Sequence, residues 1–170
     1  MKSRLFKALL YISGFFTAVI CLAMNFFIIP KIEAGADGLR WLEMKFGYSE
    51  DYVIGFIIKS TSECRDIITN VQIPLDLFYM VCYGLFFSLL IIALLKKMTW
   101  LIAFPVTLSV VDLFEDLTLM NMFKSSDYIR FSGILTSVKT ILMYICFLII
   151  ILLIIYRIKQ HIEYKKGLPD

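Results

Sequence analysis

The residues with the clearest capacity for chemistry are three acids within an apolar stretch. Asp112, Glu115 and Asp116 are three and four positions apart, so a helix with about 3.6 residues per turn places them on one face. Carboxylates grouped in a low dielectric cannot all ionise unless positive charge balances them. The group therefore predicts either a protonated general acid or a site for a cation.

Polar side chains also occur in three other apolar stretches and in the long connection between the first two. In each stretch they share one helical face, and most fall in its outer half. The faces predict one shared pocket, with Asp112, Glu115, Asp116 and Lys139 as the candidate catalytic residues. The candidate ligand-binding residues are Asn25, Arg65, Asp76, Tyr79, Tyr83 and Thr136.

A structural role is the alternative to this functional interpretation. Hydrogen bonds between membrane helices contribute only about 0.6 kcal/mol on average, whereas inserting one charged side chain costs about 2.5–3.5 kcal/mol. Four acids beside one lysine therefore favour a functional site. For single residues the alternative stays open: Asp76 as an anchor, Tyr79 and Tyr83 as packing residues, and Asn25 as an inter-helix bond.

The composition predicts the architecture that positions these residues. The chain has 170 residues, 60% of them hydrophobic, with a mean hydropathy of +0.83, against roughly 45–50% apolar residues in soluble domains. Four apolar stretches are long enough to span a bilayer, which takes about 20 residues. We predict an all-α integral membrane four-helix bundle forming one domain, with spans at about 8–30, 73–95, 98–123 and 132–156.

The long connection, residues 31–72, is predicted to lie outside the cytoplasm. Within it, Gly47, Tyr48 and Ser49 precede two acids, a pattern typical of a turn and a helix N-cap. One or two short helices are expected there, and Pro74 is expected to begin the second span. Basic residues near the span ends predict a multi-pass membrane protein with both termini cytoplasmic. The location that we expect for it is a plasma membrane of the bacterial inner-membrane type. The predicted cytoplasmic set is Lys2, Arg4, Lys7, Lys96, Lys97, Arg157, Lys159, Lys165 and Lys166.

The supply of metal and redox ligands is small. His161 is the single histidine, and Cys21, Cys64, Cys82 and Cys146 form no Cys-x-x-Cys pair. These residues argue against haem, di-iron, zinc and thiol-redox chemistry. No cofactor is predicted, although a bound cation remains compatible with the acids. The net charge of +3 is too small to indicate a nucleic-acid partner.

Several segments together resemble a group of small bacterial four-span membrane proteins of unestablished activity. The segments are Gly47-Tyr48-Ser49, Asp76 with Phe78 and Tyr79, Asp112-x-x-Glu115-Asp116, and Lys139. The resemblance implies a common site but names no activity, and Asp116 stands where that group has Asn. A weaker similarity is to EXPERA-type proteins, four-span bundles that bind or isomerise sterols.

Three functional hypotheses follow. The first is a pocket for a small amphipathic or lipid-like ligand, extended to acid–base catalysis in which Glu115 or Asp116 is the acid and Asp112 its ionised partner. The second is cation or proton handling, which would require a homo-oligomer because four helices are few for a transporter. The third is a structural subunit. An elongated apolar cavity favours the first, a compact carboxylate cage the second, and direct pairing of all acids without a cavity the third.

Overall fold

The computed structural model describes residues 4–123 and 129–166 of the chain. Lys2, used for the topology prediction, lies outside the described residues, as do the side chains of Lys165 and Lys166. The described residues are helical and contain no β-strand, as predicted. Five helices organise them, and we number them α1 (Arg4–Gly35), α2 (Glu50–Lys59), α3 (Ser62–Leu95), α4 (Ala103–Asn121) and α5 (Ile129–Lys166).

Three helices are long and apolar enough to cross a membrane: α1, α3 and the Phe131–Tyr164 part of α5. Their outer faces carry large exposed apolar side chains, such as Phe15 at 64% and Leu148 at 56% exposure. This surface agrees with the predicted membrane protein, since water would not tolerate it over such lengths. Helix α4 has 19 residues, or about 28 Å at 1.5 Å per residue. Its three acids keep it outside this apolar class, so the third predicted span, at about 98–123, remains a prediction.

Helices α1 and α3 each continue through a π-helical segment that ends two residues before a proline. The segments are Met24–Ile28, before Pro30, and Ile68–Gln72, before Pro74. Proline lacks the N–H that an α-helical hydrogen bond needs, and a wider turn accommodates the loss without ending the helix. The α-helical part of α3, Ile73–Leu95, matches the predicted span and has Pro74 in its first turn. The helix does not begin there, however, because α3 is continuous from Ser62, inside the predicted loop.

The rest of the predicted loop folds onto the ends of the helices. Ser49 is the N-cap of α2, and its hydroxyl accepts a hydrogen bond from the Tyr52 amide at 3.2 Å, which confirms the expected cap. Trp41, Val53 and Phe56 are fully buried in the cluster that this segment forms with α1, α3 and α4. The segment is thus a packed cover whose position is fixed.

Helix α4 packs against both α3 and α5, and α1 packs against α3. The contact between α3 and α4 is close at Gly84, where an added Cβ would lie 2.2 Å from Ser109 Oγ. The Ser109 hydroxyl donates to the Met80 carbonyl across the same contact at 3.1 Å. This approach places Tyr83 of α3 directly beside Asp112 of α4.

Candidate functional site

Lys139 of α5 is the centre of a buried cluster of charged groups. Its Nζ atom lies 2.7 Å from Asp112 Oδ1, 2.6 Å from Glu115 Oε2 and 3.3 Å from Glu43 Oε1. The three carboxylate side chains are at most 5% exposed, and that of Lys139 is 15% exposed. The predicted convergence of Asp112, Glu115 and Lys139 is therefore present in the structure.

Hydroxyl groups satisfy the other oxygens of the two α4 carboxylates bound by Lys139. The Tyr83 hydroxyl donates to Asp112 Oδ2 at 2.6 Å. The Thr136 hydroxyl, one helical turn before Lys139, donates to Glu115 Oε1. Asp112 and Glu115 are consequently held in fixed positions by α3 and α5.

Glu43 enters the cluster from the segment between α1 and α2. Its Oε2 accepts hydrogen bonds from Trp41 Nε1 at 2.7 Å and Gln72 Nε2 at 3.2 Å. Burial acts to raise the pKa of Glu43, but the charge of Lys139 and hydrogen bonds with Asp76, Trp41 and Lys139 hold it below its ordinary value. Glu43 is therefore ionised at neutral pH. Sequence analysis missed this residue because the segment has no helical periodicity to show which way it points.

Two further acids lie beside Glu43 without a lysine of their own. Asp76 is 4% exposed and Asp116 is fully buried. One carboxylate oxygen from each of Glu43, Asp76 and Asp116 lies within 4.8 Å of the other two. Neither oxygen of Asp116 has a hydrogen-bond partner among the described residues. Counting Asp112 and Glu115, five carboxylates meet one amine in the described site.

Tyr48 closes the cluster on the α5 side. Its hydroxyl lies 3.2 Å from Thr136 Oγ1, and burial raises its pKa to about 12, so it stays protonated at neutral pH. The backbone reaches this position at Gly47, which has a φ of +69°, and passes over Gly133, where an added Cβ would lie 2.9 Å from the Tyr48 carbonyl oxygen. The sequence included Tyr48 in a motif but did not predict this contact.

A cavity of about 150 Å³ borders part of the cluster. Its charged wall contains Glu43, Asp76, Asp112 and Lys139, whereas Glu115 and Asp116 lie behind that wall. Of the four candidate catalytic residues, Asp112 and Lys139 therefore border the cavity. The rest of the lining is Cys21, Met24, Asn25, Ile29, Met44, Tyr79, Tyr83 and Met143.

One predicted ligand-binding residue, Arg65, differs from expectation. Arg65 is exposed, and its guanidinium donates to the Ile57 carbonyl at 2.8 Å and faces the Phe123 ring, so it does not join the acids. The early start of α3 explains this, because Arg65 belongs to its first turns. Asn25 borders the cavity, as predicted. Its amide donates to the Cys21 carbonyl of its own helix at 2.8 Å, and it forms no inter-helix hydrogen bond with another described residue.

The remaining predicted residues reach the site. Tyr79 and Tyr83 line the cavity with their rings edge to face, 5.1 Å between centroids. Thr136 contacts Glu115 rather than the cavity. The arrangement is a compact acidic pocket with one amine and an aromatic wall.

Comparison with known proteins adds no assignment: no family model matches the chain, nor does any curated protein or solved structure. The proposals below therefore rest on the geometry of the described residues.

Proposed function

We propose that the protein is a four-span plasma-membrane protein, with α4 as the third span and both termini cytoplasmic. The support comes from the two faces of α4. All three of its acids are buried against other helices, the arrangement that a membrane-embedded helix needs. Its exposed face is mostly apolar and includes Val106, Val110, Phe114, Leu117 and Met120.

We further propose that the pocket binds a small amphipathic ligand through a positively charged head group. The observation that carries this proposal is the charge of the cavity wall, in which three carboxylates of a five-carboxylate cluster face one lysine. A ligand cation would offset this excess without displacing Lys139. The adjoining rings of Tyr79 and Tyr83 add the aromatic surface that favours ammonium groups.

The apolar part of the lining suits the apolar part of such a ligand. Met24 and Ile29 of α1 and Met143 of α5 belong to this lining. Methionine is flexible and polarisable, so it adapts to ligands of varied shape. The volume of about 150 Å³ admits a head group and a short alkyl segment.

The same geometry restricts any acid–base chemistry to particular residues. Asp112 borders the cavity and is fixed by both Lys139 and Tyr83, so it is the candidate base toward a bound substrate. Lys139 is the candidate group for stabilising negative charge. Glu115 and Asp116 lie behind the wall and would act only through these residues, which narrows the catalytic set predicted from the sequence.

The ligand proposal is tested with hexyltrimethylammonium on protein purified in an uncharged maltoside detergent. Hexanesulfonate and hexanol have the same alkyl length and serve as the anionic and neutral probes. We expect saturable thermal stabilisation by the ammonium probe alone. Equal responses to all three probes would show detergent-like partitioning and overturn the proposal.

A pair of matched substitutions tests the location. Met143→Phe fills the cavity and should weaken the ammonium response at least tenfold, because the lining has little spare volume. Met120→Phe makes the same change on the exposed face of α4, where Met120 is 40% exposed, and should leave the response unchanged. A response unaffected by Met143→Phe would place binding elsewhere.

A further inference from the structure

We propose that Glu43, Asp76 and Asp116 form a binding site for a hard divalent cation behind the cavity wall. The three residues come from the segment after α1, from α3 and from α4. One carboxylate oxygen of each lies within 4.8 Å of the other two. This site shares Glu43 and Asp76 with the wall of the proposed ligand pocket, and it differs from that pocket by Asp116, which does not border the cavity.

Asp116 provides the observation that points to a ligand. The residue is fully buried, yet neither carboxylate oxygen has a hydrogen-bond partner in residues 4–123 and 129–166. A buried ionised carboxylate without a partner is strongly unfavourable. A protonated carboxyl would leave its own O–H without an acceptor. A bound cation satisfies Asp116 and offsets the charge of Glu43 and Asp76 at the same time.

Lys139 is already committed to other groups. It contacts Asp112 and Glu115 at 2.7 and 2.6 Å and reaches Glu43 at 3.3 Å, and no ion pair joins it to Asp76 or Asp116 within the described residues. Lys139 therefore forms ion pairs with only part of the cluster, mainly Asp112 and Glu115. Asp76 and Asp116 form the other part, which needs a second positive group.

The donor set selects the class of cation. All three proposed ligands are carboxylate oxygens, which suit Ca²⁺, Mg²⁺ and Mn²⁺ rather than softer metals. Calcium binds oxygen at about 2.3–2.6 Å, so three oxygens within 4.8 Å of one another are close enough to bind one ion. Gln72 Oε1, one turn before Asp76, is also buried without a partner and offers a fourth oxygen on the same face of α3.

A cation in this site would tie three parts of the fold together. Glu43 belongs to the segment that covers the pocket, whereas Asp76 and Asp116 belong to the helices beneath it. Binding should therefore hold the cover against α3 and α4. Trp41 reports on this event, because its Nε1 donates to Glu43 Oε2 at 2.7 Å and any new bond to Glu43 changes that contact.

The experiment uses the full chain in uncharged maltoside, with Trp100→Phe as the background so that Trp41 is the single tryptophan. Trp100 is 73% exposed, so its replacement should not disturb the fold. Mn²⁺ binding is measured by electron paramagnetic resonance, and Ca²⁺ and Mg²⁺ are titrated against Trp41 fluorescence. We expect one Mn²⁺ per chain, displaced by Ca²⁺ or Mg²⁺, with a saturable change in Trp41 emission.

Asp116→Asn should weaken Mn²⁺ binding at least tenfold. The matched control Asp66→Asn changes an exposed acid near the start of α3 and should leave binding unchanged. Absence of stoichiometric Mn²⁺ binding, or binding unaffected by Asp116→Asn, would overturn the site. If the Asp116 variant does not fold, Asp76→Asn gives the same test from another helix.

The same variants separate this inference from the ligand proposal. Asp116→Asn should retain the hexyltrimethylammonium response, since Asp116 lies outside the cavity lining. Met143→Phe should retain Mn²⁺ binding while losing the ammonium response. If the wild-type protein binds no Mn²⁺ but still gives the saturable ammonium response, the metal site alone is rejected.

Discussion

Lys139 Nζ lies 3.3 Å from Glu43 Oε1, although 96 residues separate the two in the chain. The same ammonium group contacts Asp112 and Glu115 on α4. One side chain of α5 therefore holds together the covering segment and the helix that carries the predicted acids. The stability of the fold and the chemistry of the site consequently depend on the same contacts.

Replacing Lys139 with methionine should destabilise the protein strongly. The change leaves Asp112, Glu115 and Glu43 buried without their shared counter-ion, which typically costs about 3–5 kcal/mol. Thermal and urea unfolding in detergent measure the loss. The matched control is Lys59→Met, because Lys59 pairs with Asp37 at the surface, where the two side chains are 47% and 72% exposed. That control should change stability little, and equal losses in both variants would contradict a buried ionic centre.

Tyr83→Phe should lower stability by about 1.5–3 kcal/mol, because the hydroxyl bonds to a charged acceptor in a buried site. The lost contact is the 2.6 Å hydrogen bond to Asp112 Oδ2. Tyr144→Phe serves as the control, since Tyr144 is 69% exposed, and it should have almost no effect. The comparison is made by chemical unfolding at fixed detergent concentration, and a neutral Tyr83→Phe would show that water replaces the hydroxyl.

Glu43→Gln should make the stability of the protein less dependent on acid pH. The pKa of Glu43 lies below its ordinary value of 4.5 in the folded chain, so its ionised form contributes stability that is fully present above about pH 4.5. That contribution is lost as the pH falls through the lowered folded-state value. The variant should therefore be less stable than wild type at pH 7, and the difference should narrow below pH 4.5.

The pH experiment is read as the difference in unfolding temperature between variant and wild type. Glu50→Gln is the control, because Glu50 is exposed at the start of α2 and should give a small difference that does not change across this range. A Glu43→Gln difference that stays constant down to pH 3 would show that Glu43 is not held ionised by Lys139.

Gly133→Ala should disturb the approach of Tyr48 to α5. The added Cβ would lie 2.9 Å from the Tyr48 carbonyl oxygen, an overpacking that costs about 1–3 kcal/mol. Gly55→Ala makes the same change in α2, where no atom lies within 4 Å of the new Cβ. The control should stabilise by roughly 0.5–1 kcal/mol, since alanine favours helices. The unfolding temperatures of the two variants are compared with that of the wild type. Equal effects would contradict the close approach of the Tyr48 backbone to Gly133.

Much of the helical framework could be predicted from the sequence. Apolar stretches of sufficient length predicted α1, α3 and α5, and helical spacing predicted that Asp112, Glu115 and Asp116 share a face. Lys139 was predicted to lie among them because it is about as far from the middle of its own antiparallel span as Glu115 and Asp116 are from the middle of theirs. These predictions succeed because periodicity and length are properties of a segment by itself.

The parts that were missed depend on contacts between distant segments. Glu43 and Tyr48 belong to irregular chain, where no period shows which residue points inward, and seven acids between residues 31 and 72 looked equally solvated. Arg65 was wrongly expected beside the acids because Pro74 suggested that the helix begins at that proline. The helix instead continues back through the π-helical segment, so Arg65 lies in its first turns. A proline is compatible with either outcome, and only the surrounding packing decides between them.

The two π-helical segments, Met24–Ile28 and Ile68–Gln72, determine how the two parts of α1 and of α3 are rotated relative to each other about the helix axis. Each adds a residue to one turn, so shortening either by one residue would rotate everything on one side of it by roughly 100° relative to the other. In α3, Cys64 and Asp76 lie on either side of the π-helical segment. After that rotation they could no longer both keep their contacts, Cys64 with the Ile32 carbonyl and Asp76 with the acidic cluster. The number of residues between the cover and the pocket therefore cannot change even by one, although the side chains in these segments could vary.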